Sequence, residues 1–185
     1  MTDLTPVTAL GGTTARVERF GSITISENDD LAFASLAVPR GTEVPTPFGL
    51  TLPDAGGLTQ ADNYGAFWTG PSQWMITGEG RGNLDFAAEV KAACPGCAVT
   101  AQTDGWTAFE IEASDGVQSV EALMTRLVNL DQQILRPGHA TRTQLHHMSV
   151  FLIRRQQGHL AIIGMRTLAD TLWKVLTQTL RRLDR

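Results

Sequence analysis

The order in which strand-like and helix-like segments follow one another constrains this fold more than any single motif. Pairs of short apolar segments with strand composition are each followed by one helical segment, and this strand–strand–helix order occurs three times. Hairpins separated by single helices favour an antiparallel or mixed sheet with helices packed on one face. The sequence therefore predicts an α+β, two-layer domain of that kind.

The N-terminal part begins with two predicted strands and a long loop. The strands are expected at residues 23–26 and 31–38, and Asn28-Asp29-Asp30 between them is typical of a hairpin turn. Residues 39–63 are rich in proline, glycine and threonine. We expect a loop there, with one helical turn near Phe48.

The middle of the chain predicts a helix and a second hairpin. The helix is expected over residues 83–93, with Asn83 as its N-cap. Strands at 99–103 and 106–111 then flank Asp104-Gly105, which is the strongest short-range hairpin signal in the chain.

The C-terminal part predicts two helices around a third hairpin. A helix over residues 116–128 is expected to be capped by Asp115. Strands over 143–153 and 160–165 follow. The last helix is expected to begin after Thr167 as its cap.

Length and composition indicate one globular unit. The chain has 185 residues, 42% of them hydrophobic, which suits a buried core and argues against disorder. Residues 1–15 lack periodicity and predict a loose N-terminal arm. We expect one domain over residues 16–185, divisible into two ββα-rich halves that share a core.

Charge and hydropathy exclude several classes of protein. The formal net charge of −4 provides no electrostatic footprint for nucleic acid. No stretch approaches the roughly 18 consecutive apolar residues of a membrane span, and the N-terminus lacks the pattern of a signal peptide. We therefore expect a cytoplasmic protein that binds neither nucleic acid nor membrane.

Both cysteines lie in the motif Cys94-Pro95-Gly96-Cys97, which has three interpretations. A redox pair needs a thiolate at a helix N-terminus, but this motif follows a predicted helix, whose negative end disfavours a thiolate. Half of a zinc site lacks its second cysteine pair. A structural turn is the favoured interpretation, with the redox and metal sites as alternatives.

No set of residues predicts catalytic machinery. His146-His147 are expected side by side in one strand, so that their side chains face opposite ways and cannot chelate one ion together. Glu110 and Glu112 are expected on the wet face of a strand. Residues 78–82, Gly-Glu-Gly-Arg-Gly, match neither a P-loop nor a dinucleotide fingerprint. We therefore predict no catalytic, cofactor-binding or metal-binding residue in this chain.

An aromatic segment at residues 67–76 holds two of the four tryptophans. Gly70-Pro71 is a strong turn signal, and strand-like residues lie on either side of it. We expect two strands that meet at a tight corner. Trp68 and Trp74 would anchor its ends, since a buried indole N–H needs an acceptor.

Several segments, in order along the chain, resemble one known family. They are Leu36-Ala37-Val38-Pro39-Arg40-Gly41, Phe48-Gly49-Leu50-Thr51-Leu52-Pro53, Phe67-Trp68-Thr69-Gly70-Pro71-Ser72-Gln73-Trp74, Asn129-Leu130-Asp131 and Gly164-Met165-Arg166-Thr167-Leu168-Ala169-Asp170-Thr171-Leu172-Trp173. Together they are similar to the gamma subunit of heterotetrameric sarcosine oxidase, over nearly the whole chain after residue 15. Ser72-Gln73 depart from that family, which often has an acidic pair there.

This resemblance implies a fold similar to the folate-binding domain of the glycine-cleavage aminomethyltransferase. It implies a structural subunit without an active site, in an oxidase that demethylates sarcosine to glycine with tetrahydrofolate and oxygen. The partners would be the larger alpha and beta subunits and the small delta subunit. FAD, FMN, NAD, tetrahydrofolate and zinc would be carried by those subunits. The family motifs mark Trp68, Gly70, Pro71, Trp74, Arg166 and Trp173 as structural or interface residues.

The same fold relationship supports an alternative function. A stand-alone folate-binding or one-carbon-transfer module would share this architecture. The chain has about half the length that a full aminomethyltransferase needs, which argues against that alternative.

Overall fold

The computed structural model describes residues 5–130, 134 and 136–184, and within them the chain forms two antiparallel sheets and three α-helices. The strands are β1 (Val17–Phe20), β2 (Ile23–Asn28), β3 (Ala32–Ala37), β4 (Leu58–Ala61), β5 (Tyr64–Gly70), β6 (Gln73–Gly78), β7 (Ala98–Ala101), β8 (Trp106–Ala113), β9 (His139–Leu145), β10 (Met148–Gln156) and β11 (His159–Met165). The helices are α1 (Phe86–Ala93), α2 (Val117–Leu127) and α3 (Ala169–Leu183). Short 3₁₀ helices lie at Pro47–Gly49, Thr103–Gly105 and Arg166–Leu168.

The two sheets pack face to face. Sheet A has the strand order β1-β2-β8-β11-β10-β9, and sheet B has the order β4-β5-β6-β3-β7. Their inner faces share one apolar cluster, in which the rings of Phe67 in sheet B and Phe151 in sheet A lie 5.0 Å apart. Each buried side chain of this size contributes about 1.5–3 kcal/mol. This cluster joins the sheets.

Helices cover the outer face of each sheet. Helices α2 and α3 pack on sheet A, and α1 packs on sheet B together with residues of the loop before β4. The predicted α+β class, with helices on one face of an antiparallel sheet, is confirmed. The structure contains two such sheet-and-helix units packed back to back.

The amphipathic pattern of α3 shows why this helix forms where it does. Leu172, Leu176 and Leu180 recur every four residues and are all buried against sheet A. Thr167 was predicted as the N-cap, but the cap position is Leu168 and a 3₁₀ turn precedes it. Asp170 lies in the first turn of α3, where it forms an ion pair with Lys174.

Two predicted hairpins are wrong, because the chain passes between the sheets at both places. Strand β2 belongs to sheet A and β3 to sheet B, although turn residues connect them. Strand β7 pairs with β3, whereas β8 lies in sheet A, and Asp104-Gly105 belong to a 3₁₀ turn. Thr103 ties the second crossing to β3, since the amide of Phe33 donates to its Oγ1 at 3.1 Å.

The prediction that His146-His147 lie within a strand is also wrong. Both residues have positive φ, 45° and 67°, and they form the two-residue turn between β9 and β10. Two successive residues with positive φ are the mark of a type I′ hairpin. The apolar pattern on both sides of the pair concealed this turn.

The remaining differences are local. The helical turn near Phe48 is confirmed, but β4 lies inside the predicted loop. Asp85 caps α1 in place of Asn83 and accepts the amide of Ala88 at 3.0 Å. The N-cap of α2 is Gly116 at φ 84°, so Asp115 lies one residue outside the cap. None of the helices in the described ranges is long and apolar enough to cross a membrane.

Candidate functional site

The Gly-Pro corner is a hairpin that joins β5 to β6. Trp68 lies directly opposite Trp74, and the turn bends at Pro71-Ser72, where Ser72 has φ 55°. Trp74 is 8% exposed, and its Nε1 donates to the carbonyl oxygen of Pro53 at 2.7 Å. Trp68 is half-buried against the same cluster on the outer face of sheet B. Trp74 therefore connects the proline-rich loop to sheet B.

The closing motif anchors the opposite side of the molecule. Trp173 on α3 is buried, its ring meets Phe109 edge-on at 5.2 Å, and its Nε1 donates to Glu18 Oε1 at 3.1 Å. Arg166 is half-buried, and its Nη2 donates to the carbonyl oxygen of Val7 at 2.7 Å. The two tryptophan motifs thus lie in opposite outer layers, and the structure does not bring them together.

The segment Asn129-Leu130-Asp131 is only partly described. Leu130 packs against the outer core of sheet A, and Asp131 lies outside the described residues.

The N-terminal segment lines a cavity of about 460 Å³ beside the two crossings between the sheets. Glu27 is buried there, and its carboxylate accepts the amides of Leu10 at 3.0 Å and Arg16 at 3.3 Å. Together with the bond from Arg166 to Val7, these contacts hold the described part of the N-terminal segment against sheet A.

A buried ion-pair cluster lies on the inner face of sheet A, and the sequence did not predict it. Glu110 is 8% exposed, although it was expected on a wet strand face. Arg155 Nη2 donates to Glu110 Oε1 at 2.7 Å, and the Nε of Arg155 donates to Oε2 at 3.1 Å. His159 Nε2 donates to Oε2 at 2.8 Å, since an ionised carboxylate only accepts. Both oxygens of Glu110 are therefore engaged.

Strand register assembles this cluster. Glu110 lies opposite Ala161 in the pairing of β8 with β11, and His159 lies opposite Glu112. Arg155 follows Phe151 and Ile153 on the inner face of sheet A, at an irregularity in the pairing of β10 with β11. The residues lie 45 and 49 positions apart along the chain. Because of this separation, a local pattern does not reveal that Glu110 is paired.

The environment of Glu110 makes it a weak base. Burial would raise its pKa, but the hydrogen bond from His159 and the charge and hydrogen bonds of Arg155 outweigh that effect and lower the pKa to about 2. A general base that works near neutral pH needs a pKa close to that pH. Glu110 is therefore suited to a structural ion pair and unsuited to proton abstraction.

A polar cleft of about 370 Å³ opens beside this cluster. Asn28 Nδ2 bridges its two sides, donating to Glu79 at 3.1 Å and to Glu110 at 3.5 Å. Glu79 also lies 3.8 Å from Arg155. The polar groups of the cleft thus bind mainly one another, which favours a role in holding the ends of the two sheets together.

The two cysteines form a buried turn at the end of α1. Cys94 and Cys97 are both buried and free. Burial, and then the neighbouring Cys97, raise the pKa of Cys94. Lys91 Nζ donates to the carbonyl oxygens of Pro95 at 2.9 Å and Cys97 at 2.6 Å. A raised thiol pKa disfavours the thiolate that redox chemistry needs.

The alternative interpretation of Cys94 and Cys97 as half of a zinc site requires further ligand side chains nearby. In the part of the chain that the structure describes, no group of three or more His, Cys, Asp or Glu side chains is arranged to hold a metal ion.

No protein-family model matches the chain, and no curated protein matches its sequence. Solved structures do resemble it. A chain of the heterotetrameric sarcosine oxidase from Corynebacterium sp. U-96, in complex with pyrrole 2-carboxylate, matches with a TM-score of 0.71 and 15% identity, over 91% of this chain and 89% of that chain. The glycine cleavage system aminomethyltransferase T from Bartonella henselae matches with a TM-score of 0.60 and 14% identity, over 81% of this chain and 44% of that one.

These likenesses establish the fold. The predicted similarity to the aminomethyltransferase is confirmed at the level of architecture, and so is the resemblance to a chain of heterotetrameric sarcosine oxidase. The oxidase chain is close to this one in length, because the match covers similar shares of both. This chain spans less than half of the aminomethyltransferase.

Proposed function

We propose that this chain is a non-catalytic, structural subunit of a heterotetrameric oxidase of the sarcosine oxidase type. The observation that carries the proposal is the end-to-end match with one chain of such an assembly, over 91% of this chain and 89% of the other. Two subunits that occupy the same position in two related complexes are expected to match over nearly their whole lengths.

The chemistry of the described residues supports a structural role. Glu110 is the most strongly perturbed carboxylate, and a pKa of about 2 makes it an anchor instead of a base. Trp74 and Trp173 use their indole N–H groups on internal acceptors, Pro53 and Glu18. Trp74 thus connects the loop at Pro53 to sheet B, and Trp173 connects α3 to β1.

The other members of the complex follow from the same proposal. The alpha and beta subunits and the small delta subunit would be the partners, and FAD, FMN, NAD, tetrahydrofolate and zinc would be bound by those chains. The complex would demethylate sarcosine to glycine in the cytoplasm and transfer the one-carbon unit to tetrahydrofolate. This places the subunit in sarcosine catabolism and one-carbon metabolism.

Co-expression tests this proposal directly. An affinity-tagged copy of this chain is co-expressed with the alpha, beta and delta subunits from the same organism and purified through the tag. We expect a complex of fixed stoichiometry that carries flavin absorbance and oxidises sarcosine. The same tag on an unrelated domain is the control. If this chain elutes without the other subunits, the structural-subunit proposal is wrong.

The second candidate function is a stand-alone folate-binding or one-carbon-transfer module. The likeness to aminomethyltransferase T favours it, although this chain corresponds to only 44% of that protein. Calorimetric titration of the isolated chain with tetrahydrofolate separates the two functions. Micromolar or tighter binding would favour the module, whereas the structural subunit is expected to release no binding heat.

A further inference from the structure

A buried arginine on the outer face of sheet A has no counter-ion among the residues that the structure describes. Arg154 is 2% exposed, and in the described part of the chain its Nε–H has no hydrogen-bond partner. Its Nη1 donates to the sulfur of Met124 at 3.7 Å, and its Nη2 donates to the carbonyl oxygen of Gln157. Both acceptors are neutral, so among the described residues the guanidinium charge has no anionic partner, and the Nε–H and one proton on each Nη have no acceptor.

A buried guanidinium without an anionic partner is energetically unfavourable. Arginine stays protonated in proteins, so burial cannot be relieved by loss of the proton. Burial lowers the pKa of Arg154, and the charge of Glu121 acts in the opposite direction. Among the described residues, however, Arg154 forms no ion pair within 4.0 Å. A buried positive charge in a protein is normally paired with an anionic group.

Arg154 lines a cavity of about 150 Å³, which lies between α2, the segment that precedes β9 and the end of β10. One stripe of α2 forms the first wall, and Pro137 and Gln157 belong to the other. A second arginine, the exposed Arg136, also lines the cavity, and its Nε donates to His139 Nε2 at 3.3 Å. At roughly 30 Å³ for each water molecule, this volume suits a ligand group of about five heavy atoms.

The start of α2 adds to the positive potential. Val117 is the first residue of this helix and lines the cavity, and in the described part of the chain the cap residue, Gly116, makes no side-chain cap hydrogen bond. The free amides of a first turn carry partial positive charge. Glu121 is the single carboxylate among the described residues that line the cavity.

We propose that this cavity is a binding site for a small oxyanion, a carboxylate or phosphate group, held by Arg154 with Arg136 at the entrance. The free Nε–H and the remaining Nη protons of Arg154 can bind two oxygens of one anion side by side. The site is independent of the proposed subunit role, since it uses residues of this chain alone.

Anion-dependent stability of the full chain tests the proposal. Urea unfolding is followed at constant ionic strength while chloride is replaced by inorganic phosphate or by acetate. We expect saturable stabilisation by at least one of these anions, which increases the folding equilibrium constant about a hundredfold at a concentration 100 times the Kd. Phosphate and acetate arms show which oxyanion the cavity prefers.

Three variants locate the effect. Arg154→Met should lose the anion response and be at least as stable as the wild type in chloride, because an unpaired buried charge is removed. Arg136→Gln should weaken binding about tenfold. Glu121→Gln should strengthen binding, because it removes a competing carboxylate. Arg126→Gln removes the same charge from an exposed position of α2 and should change nothing.

Two results would overturn the site. Equal anion stabilisation in the wild type, Arg136→Gln and Glu121→Gln would mean binding elsewhere. A wild type without any anion response would mean that the cavity binds neither anion, and a destabilised Glu121→Gln variant would then identify Glu121 as the internal counter-ion. Both results remain readable if Arg154→Met fails to fold.

Discussion

Trp74 links local sequence to a tertiary contact. Its ring is buried, and its Nε1 donates a hydrogen bond to the carbonyl oxygen of Pro53 in the proline-rich loop. We expect Trp74→Ala to lower the free energy of unfolding by about 3–5 kcal/mol, because it creates a cavity and frees the loop. Trp74→Phe keeps most of the ring and should cost about 1–2 kcal/mol for the lost hydrogen bond. Urea unfolding measures both, and a loss below about 1 kcal/mol in the alanine variant would contradict the anchor role.

Glu110 should make the stability of this protein depend on pH. Its pKa is lowered from 4.5 to about 2 in the folded chain. The ionised form is therefore favoured by folding. The stabilisation is fully present above about pH 4.5 and is lost as the pH falls toward 2. It amounts to about 3 kcal/mol.

The variant Glu110→Gln checks this dependence. It leaves Arg155 buried beside a neutral amide, which should cost about 3–5 kcal/mol at pH 7. The slope of stability against pH between 4.5 and 2 should become shallower than in the wild type. Glu112→Gln, at an exposed position of the same strand, is the matched control and should retain the wild-type slope. An unchanged slope in Glu110→Gln would show that another group titrates.

At the scale of elements, the turn at His146-His147 is unfavourable for its own residues. Both have positive φ, which is strained for residues with a Cβ. Replacing the pair by Asn-Gly, through His146→Asn and His147→Gly, should stabilise the protein by about 1 kcal/mol. The urea midpoint measures this gain. His147→Val should act in the opposite direction, and a stabilising valine would contradict the observed turn geometry.

At the scale of the whole molecule, the two sheets should unfold together. Phe67 and Phe151 belong to one cluster that spans both inner faces. We expect far-UV circular dichroism and tryptophan fluorescence to report a single, coincident transition. Phe151→Ala should lower stability by about 3–5 kcal/mol with both probes alike. Two separate transitions would mean that residues 16–185 contain independent halves, contrary to the predicted single domain.

Local sequence patterns determined where the helices begin and where one of the hairpins forms. Helical periodicity located α1, α2 and α3 to within three residues of their observed starts, and the Gly70-Pro71 corner was predicted as the hairpin that forms. The family resemblance that the tryptophan motifs carry also implied the fold that solved structures share. Period and turn chemistry act over a few neighbouring residues, so a single sequence reveals them.

Only the tertiary structure decided which strands pair and which charges are buried. Turn residues connect β2 to β3 and β7 to β8, yet each pair is divided between the sheets, because burial of both inner faces outweighs a local turn preference. Glu110 looks solvated in its own strand and becomes an ion-pair centre through residues more than 40 positions away. Arg154 likewise looks like an ordinary charged residue until α2 covers it. Contacts between distant residues set these properties, and no local pattern encodes them.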